Sequence, residues 1–159
     1  MAWILWTAVM LGEPATAPLG VELIDLDGRK APIWTIDDGP AVVLVVHARR
    51  LRGLKTWEKH LRERFEGLSY ARIADLPAES GATYEDVAAK LRERVPEGVR
   101  VFVDVERSWA RELGLDTSRP NLLLLDDAGN LTATFQGRFE TTLFEQVCDA
   151  IGETLEAPR

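Results

Sequence analysis

The chain has 159 residues, enough for one domain with a sizeable core. Its hydrophobic fraction of 46% excludes an intrinsically disordered chain. Its net charge of −7, without basic residues interleaved with aromatic ones, argues against nucleic acid as a partner, and its single cysteine excludes an internal disulfide.

The N-terminal segment differs from the rest of the chain. Residues 2–11 are apolar apart from one threonine, which is too short to span a bilayer but suits the core of a signal peptide. Residues 15–17 are similar to a small-residue cleavage site, although no Lys or Arg precedes the apolar run and Pro18 follows the site. Two interpretations stay open. Residues 1–19 are a signal peptide or anchor, giving a periplasmic or envelope location close to a membrane, or they are a buried N-terminal strand or a truncated start in a cytoplasmic protein. The domain itself spans residues 20–159.

Several segments predict β-strands. The continuous apolar runs at 41–46 and 122–125 indicate strands buried on both faces, as in a sheet covered by helices. Residues 69–75 and 100–105 predict further strands. Residues 126–130 have a calcium-like composition but lack the spacing and distal Glu of a calcium loop, so we predict a hairpin turn there.

Helical periodicity separates these strands. Thr83, followed three residues later by Asp86, predicts a capping box at the start of the second helix. Three apolar stripes at three- and four-residue steps indicate one buried face per helix. Their residues are Leu54, Trp57, Leu61 and Phe65; Tyr84, Val87, Ala88, Leu91 and Val95; and Leu143, Phe144, Val147, Cys148, Ile151 and Leu155. Alternating strands and helices predict an α/β domain, a three-layer sandwich with a mixed central sheet.

Four segments in chain order carry a resemblance to a known family. They are Ile24–Lys30, Ala41–Lys55, Val101–Gly114 and Thr117–Leu131. Their strands, turns and proline resemble the redoxin branch of the thioredoxin-like superfamily, which includes peroxiredoxin-like and secreted thiol–disulfide interchange members. The resemblance covers roughly residues 20–155 and implies a thioredoxin-like fold.

The family's Cys-x-x-Cys motif is missing. At its position the chain reads Leu51-Arg52-Gly53-Leu54, followed by the Lys55 that the family also has. Because a thiolate is the nucleophile of dithiol exchange, this active site without cysteines implies a redox-inactive domain. We predict that Cys148 is a small buried hydrophobe, the alternative being an exposed redox-sensing thiol. The resemblance also implies a cis bond before Pro120 and a groove that binds substrate backbone.

Positive charge is concentrated between residues 47 and 64. This segment carries seven basic and two acidic side chains, a net +5, which leaves −12 for the remainder. The resemblance places the cluster at the start of the first helix and beside the proline loop, where free backbone N–H groups suit an anion. We predict a ligand-binding pocket here, the alternative being arginines that point to water and pair with acidic side chains. Its residues are His47, Arg49, Arg50, Arg52, Arg119 and Pro120.

Other chemistry is sparse. His47 and His60 lie thirteen residues apart and fit no metal-ligand spacing, and no Gly-rich phosphate loop follows a strand. We therefore expect no catalytic residue, no metal and no cofactor. Three function classes stay open. We favour a binding or accessory module that holds a protein, a peptide or a small anion in the former substrate groove. The alternatives are a non-thiol enzyme with an anionic substrate and a structural subunit of an envelope complex.

Overall fold

The computed structural model describes residues 21–35 and 38–156, so the expectations on residues 1–19 lie outside it. The strands are β1 (Glu22–Asp25), β2 (Lys30–Pro32), β3 (Ala41–His47), β4 (Ser69–Asp75), β5 (Arg100–Asp104), β6 (Asn121–Leu125) and β7 (Leu131–Gln136). The helices are α1 (Leu54–Arg64), α2 (Tyr84–Arg94), α3 (Ser108–Glu112) and α4 (Thr141–Glu156). A 3-10 helix (Ala48–Gly53) joins β3 to α1, and a 3-10 turn (Ala78–Ser80) follows β4.

The described strands form one sheet in the order β2-β1-β5-β4-β3-β6-β7. Strands β3, β4 and β5 are parallel, whereas β6 runs antiparallel to β3 and β1 antiparallel to β5. The mixed sheet predicted from the sequence is therefore confirmed. Residues 41–46 and 122–125 are buried throughout, as their continuous apolar runs indicated. Strand β5 ends one residue earlier than predicted, since Val105 is 42% exposed.

Helices cover both faces of the sheet. On one face α1, α2 and α4 bury their apolar stripes, and on the other the fully buried Trp109 of α3 packs against the strands. The capping box is confirmed: the Thr83 hydroxyl accepts the Asp86 N–H at 3.2 Å, and the Asp86 carboxylate accepts the Thr83 N–H at 3.3 Å. Among the described helices, none is both long and apolar enough to cross a membrane.

The stripe of α4 is buried over most of its length. Cys148 is 7% exposed, so the prediction that its side chain is buried is confirmed. Leu155 was expected on the same buried face but is 48% exposed. It lies one turn beyond Ile151, the last buried residue of the helix.

Candidate functional site

A cleft of about 470 Å³ opens at the carboxyl ends of β3 and β4. Its volume falls in the range of small-molecule sites. One wall is the 3-10 helix after β3, and the opposite wall is the turn before β6. The lining residues are His47, Arg49, Arg50, Pro77, Glu79, Arg107, Leu115, Asp116, Thr117 and Ser118.

The structure brings together only part of the predicted pocket. His47, Arg49 and Arg50 line the cleft, whereas Arg52, Arg119 and Pro120 do not. Arg52 lies exposed in the second half of the 3-10 helix. Pro120 is buried, and its ring packs against the Gly53 backbone, so close that a Cβ at Gly53 would lie 3.5 Å from the proline Cγ.

The segment that enters α1 is itself helical in part, which the sequence analysis did not predict. The 3-10 helix has a kink at Arg50 (φ −117°, ψ 15°), and the Leu54 N–H at the start of α1 donates to the Leu51 and Arg52 carbonyls. The N-cap of the 3-10 helix is His47, whose Nδ1 accepts the Arg49 N–H at 3.1 Å. The neutral imidazole therefore carries its proton on Nε2.

Arg49 and Arg50 each donate a hydrogen bond to a carbonyl group of another segment, the 3-10 turn after β4 and the turn before β6. Arg49 donates from Nη2 to the Ser80 carbonyl at 2.6 Å, and Arg50 donates from Nη1 to the Ser118 carbonyl at 3.0 Å. The ion pairs found in the described part of the chain include neither guanidinium. Each guanidinium has five N–H donors, so both keep charge and donors for a ligand.

Two residues that line the cleft, Arg107 and Thr117, bind a buried carboxylate that is not itself part of the lining. Asp75 is fully buried at the end of β4, where its Oδ2 accepts the Thr117 hydroxyl at 2.5 Å. Its Oδ1 accepts Nε of Arg107 at 3.3 Å, and the same guanidinium lies 3.8 Å from Glu79. Arg107 adopts φ 57° and ψ 31°, the one non-glycine residue with positive φ in the described ranges. Its backbone therefore has a conformation that ordinary residues seldom adopt.

Asp116 supplies negative charge at the opposite rim. Hydrogen bonds from the Ser118 hydroxyl and N–H, together with the charges of Arg119 and Arg50, lower the pKa of this exposed carboxyl. It is therefore ionised at neutral pH. Among the lining residues three arginines face two exposed carboxylates, Asp116 and Glu79, and one of the three, Arg107, also pairs with the buried Asp75. Arg49 and Arg50 are therefore the lining arginines without a carboxylate in ion-pair contact among the described residues.

The prediction of a cis Arg119–Pro120 bond is wrong. The described residues contain no cis peptide bond, in line with the general preference of X–Pro bonds for trans. Hydrogen bonds within the turn hold its backbone. The Arg119 N–H donates to the Asp116 carbonyl at 3.4 Å, and the side-chain amide of Asn121 donates to the Arg119 carbonyl at 2.9 Å. The Arg119 N–H therefore has an acceptor within the turn, and the Arg119 carbonyl accepts one hydrogen bond there.

Sequence reasoning missed Asp75, Arg107 and Thr117 as parts of the site. A usable signal was present, because His47, Asp75 and Asp104 each end an apolar strand. The carboxyl ends of parallel strands meet at one edge of a sheet, which is where α/β folds place their ligands. No signal in the sequence indicated that Arg107 would fold back over these strand ends.

A metal site has no support in the described part of the chain. It contains no group of three His, Cys, Asp or Glu side chains placed to hold an ion. His60, the second histidine, lies on α1, where its Nδ1 is 2.9 Å from the Thr56 carbonyl and its ring stacks on Phe139.

Comparison with known proteins gives a fold but no close relative. No family model matches the chain, and no curated protein matches its sequence. A putative thiol:disulfide interchange protein DsbE from Chlorobium tepidum aligns with a TM-score of 0.65 at 18% identity, over 91% of this chain and 99% of that one.

Two further structures align almost as well. The exposed lipoprotein thioredoxin Etrx1 from Streptococcus pneumoniae strain TIGR4 gives a TM-score of 0.62 at 17% identity, over 80% of this chain and 96% of that one. Yeast Sco1 with copper bound gives a TM-score of 0.62 at 10% identity, over 89% of this chain and 95% of that one. The chain therefore has a thioredoxin-like fold, as the sequence resemblance implied.

Proposed function

We propose that this protein is a redox-inactive thioredoxin-like binding domain whose cleft holds an anionic group of a small molecule or a peptide. The observation that carries the proposal is the pair Arg49 and Arg50. Both line the cleft, and both are hydrogen-bonded to neutral carbonyl oxygens. Within the described ranges neither guanidinium is in a direct ion pair, and although the Arg50 charge also acts on the nearby Asp116 carboxyl, both keep N–H donors for a ligand.

The arrangement differs from the thiol chemistry of the fold. Residues 51–54 contain no sulfur, and Cys148 is buried in α4. A ligand can still be held by guanidinium groups, which bind carboxylate and phosphate oxygens in a forked geometry. We therefore place the ligand over the 3-10 helix and the Asp116–Ser118 turn rather than along the proline loop.

Sulfate is a suitable probe of this proposal. A ligand that binds only the folded state raises its stability, but sulfate also stabilises folded proteins without binding to a site, so the affinity is measured by NMR titration with chloride at equal ionic strength as the blank. Arg50→Gln should weaken sulfate binding about twofold to fivefold, as expected for a partly exposed charge contact. Arg52→Gln is the matched control: it removes the same charge from the same 3-10 helix, outside the cleft, and should leave the affinity unchanged. Equal losses in both variants would overturn the proposed site.

An extracytoplasmic location belongs to the proposal. It is supported by the apolar run at residues 2–11 and the small residues at 15–17, which lie outside the described part of the chain. One protein of similar fold is an exposed lipoprotein, which is compatible with such a location.

A non-thiol enzyme with an anionic substrate is the second candidate. It is favoured by His47, whose Nδ1 is held by the Arg49 N–H while the ring lines the cleft. Nε2 could then exchange a proton with a bound substrate. Phosphate and carboxylate esters test this candidate: turnover that is lost in His47→Gln would support it, and no turnover would leave the binding role.

A further inference from the structure

Two buried carboxyl groups lie side by side beneath the cleft. Asp75 and Asp104 end the neighbouring parallel strands β4 and β5 as register partners, and they are 0% and 1% exposed. Side chains at paired positions point to the same face of a sheet. A carboxylate that is buried beside a second one is disfavoured in its ionised form.

The two carboxyls have unequal partners. Asp75 has a cation, Arg107, whereas Asp104 accepts only the N–H groups of Ser108 and Trp109, each at 2.9 Å. Burial raises the pKa of Asp104, and the nearby charges of Asp75 and Glu106 act in the same direction, against the lowering effect of the two N–H bonds. Asp104 therefore takes up a proton more readily than an ordinary carboxyl.

Arg107 belongs to both the carboxyl pair and the cleft. Its side chain is 40% exposed, lines the cleft and neutralises the buried Asp75 from above. Its backbone has a positive φ, a conformation that persists only where the surrounding structure holds it and that recurs at ligand clamps. An anion in the cleft would attract the same guanidinium and leave the carboxyl pair without its cation.

We propose that the cleft binds an oxyanion together with one proton, because the anion draws on Arg107 and the proton then neutralises the Asp75–Asp104 pair. This inference rests on the proposed anion-binding function. The proton comes from solvent, and no covalent bond forms or breaks. The other charged groups facing the pair and the cleft are His47 on β3, Glu79 on the 3-10 turn, Glu106 before α3, and Arg49, Arg50 and Asp116 at the rim.

The experiment uses sulfate, which keeps both of its charges from neutral to mildly acidic pH. Affinity is measured by NMR titration between about pH 8 and about pH 5 at constant ionic strength. Proton uptake is measured directly, by the acid needed to hold the pH when sulfate is added, with sodium chloride as the blank. We expect net proton uptake and an affinity that rises as the pH falls, by at most about tenfold per pH unit, the limit for one proton.

His47 requires its own variant, because its imidazole lines the cleft and is a second group that can take up a proton. His47→Gln should bind sulfate more weakly but keep the pH dependence. Asp104→Asn should still bind sulfate and lose the pH dependence, and Arg107→Gln should lose both affinity and pH dependence. Arg64→Gln, an exposed arginine near the end of α1, should behave like the unchanged protein. Proton uptake by the unchanged protein keeps the test valid if a variant fails to fold.

The outcomes separate the two proposals. Sulfate binding without proton uptake overturns the coupling and leaves the anion site intact. A pH dependence that disappears in His47→Gln and persists in Asp104→Asn assigns the proton to the imidazole and also overturns the coupling. Absence of sulfate binding at every pH overturns the proposed function and the inference together.

Discussion

Thr117 donates a 2.5 Å hydrogen bond from its hydroxyl to Oδ2 of Asp75, a residue 42 positions earlier in the chain. The Thr117 carbonyl in turn accepts the His47 N–H at 2.8 Å. One threonine thus joins the turn before β6 to the ends of two central strands. The opposite wall of the cleft is held in place through this residue.

Thr117→Val should destabilise the protein by about 1–3 kcal/mol, since it leaves a buried carboxylate oxygen without its donor. Thr117→Ser keeps the hydroxyl and should lose much less of the unfolding free energy. Urea unfolding of the three proteins measures the difference. Equal stability of the valine and serine variants would show that the hydroxyl does not support Asp75.

Glu58 is the centre of a buried ion network between α1 and β4. Its carboxylate is 5% exposed and accepts Arg62 at 2.8 Å and Nε of Arg72 at 2.5 Å. Glu58→Gln should cost about 3–5 kcal/mol, because Arg72 would remain buried without a counter-ion. Glu63→Gln breaks the exposed pair with Lys59 and should cost less than about 1 kcal/mol. Similar losses in the two variants, measured by chemical unfolding, would contradict this assignment.

Thiol chemistry should be absent. Burial, followed by the charge of Glu145, raises the pKa of the Cys148 thiol, so little reactive thiolate forms at neutral pH. We expect no insulin reduction and no peroxide consumption, and slow reaction with thiol reagents until the protein unfolds. Turnover that survives Cys148→Ser would show a site elsewhere in the chain. Turnover lost in that variant would show that Cys148 is functional.

The raised pKa of Asp104 predicts a specific pH dependence of stability. The folded state holds this proton more tightly than the unfolded state does. The resulting stabilisation is complete below the unfolded carboxyl pKa of about 3.9 and is lost as the pH rises through the folded value. The unfolding free energy of the unchanged protein minus that of Asp104→Asn should therefore fall as the pH rises from about 4 to neutrality. A difference in unfolding free energy that stays constant or increases with pH would contradict the raised pKa of Asp104.

Export predicts a processed N-terminus. If residues 1–17 are a signal peptide, protein exported from a bacterial host should begin at Pro18 and fold without the preceding residues. The intact mass of the exported protein shows at which residue it begins. Retention of all seventeen residues, with Trp3 and Trp6 protected from solvent quenchers, would favour a buried N-terminal segment instead.

The central sheet could be predicted from the sequence because its signals are local. Apolar runs such as 41–46 and the capping box at Thr83 depend on neighbouring residues alone, and the structure confirms both. The 3-10 helix after His47 was missed, because the sequence pattern indicated one helix beginning near Leu54. That difference moved the helix start and left Arg52 outside the cleft.

The site was harder to predict because it depends on register and on an unusual backbone angle. The alignment of Asp75 with Asp104 follows from the pairing of β4 and β5, which no single segment reveals. The position of Arg107 follows from its positive φ. The expected cis-proline came from family resemblance alone, and the described residues contain no cis peptide bond.

The central claim is that an anion binds between the 3-10 helix and the turn before β6. Mapping of backbone amide NMR shifts during sulfate addition tests it most directly, with chloride at equal ionic strength as the blank. We predict that the largest shifts fall on Arg49, Arg50, Thr117 and Ser118, and that Arg50→Gln reduces them. Shifts that are spread evenly over the exposed basic residues, or centred on Arg52 and Arg119 instead, would contradict the account.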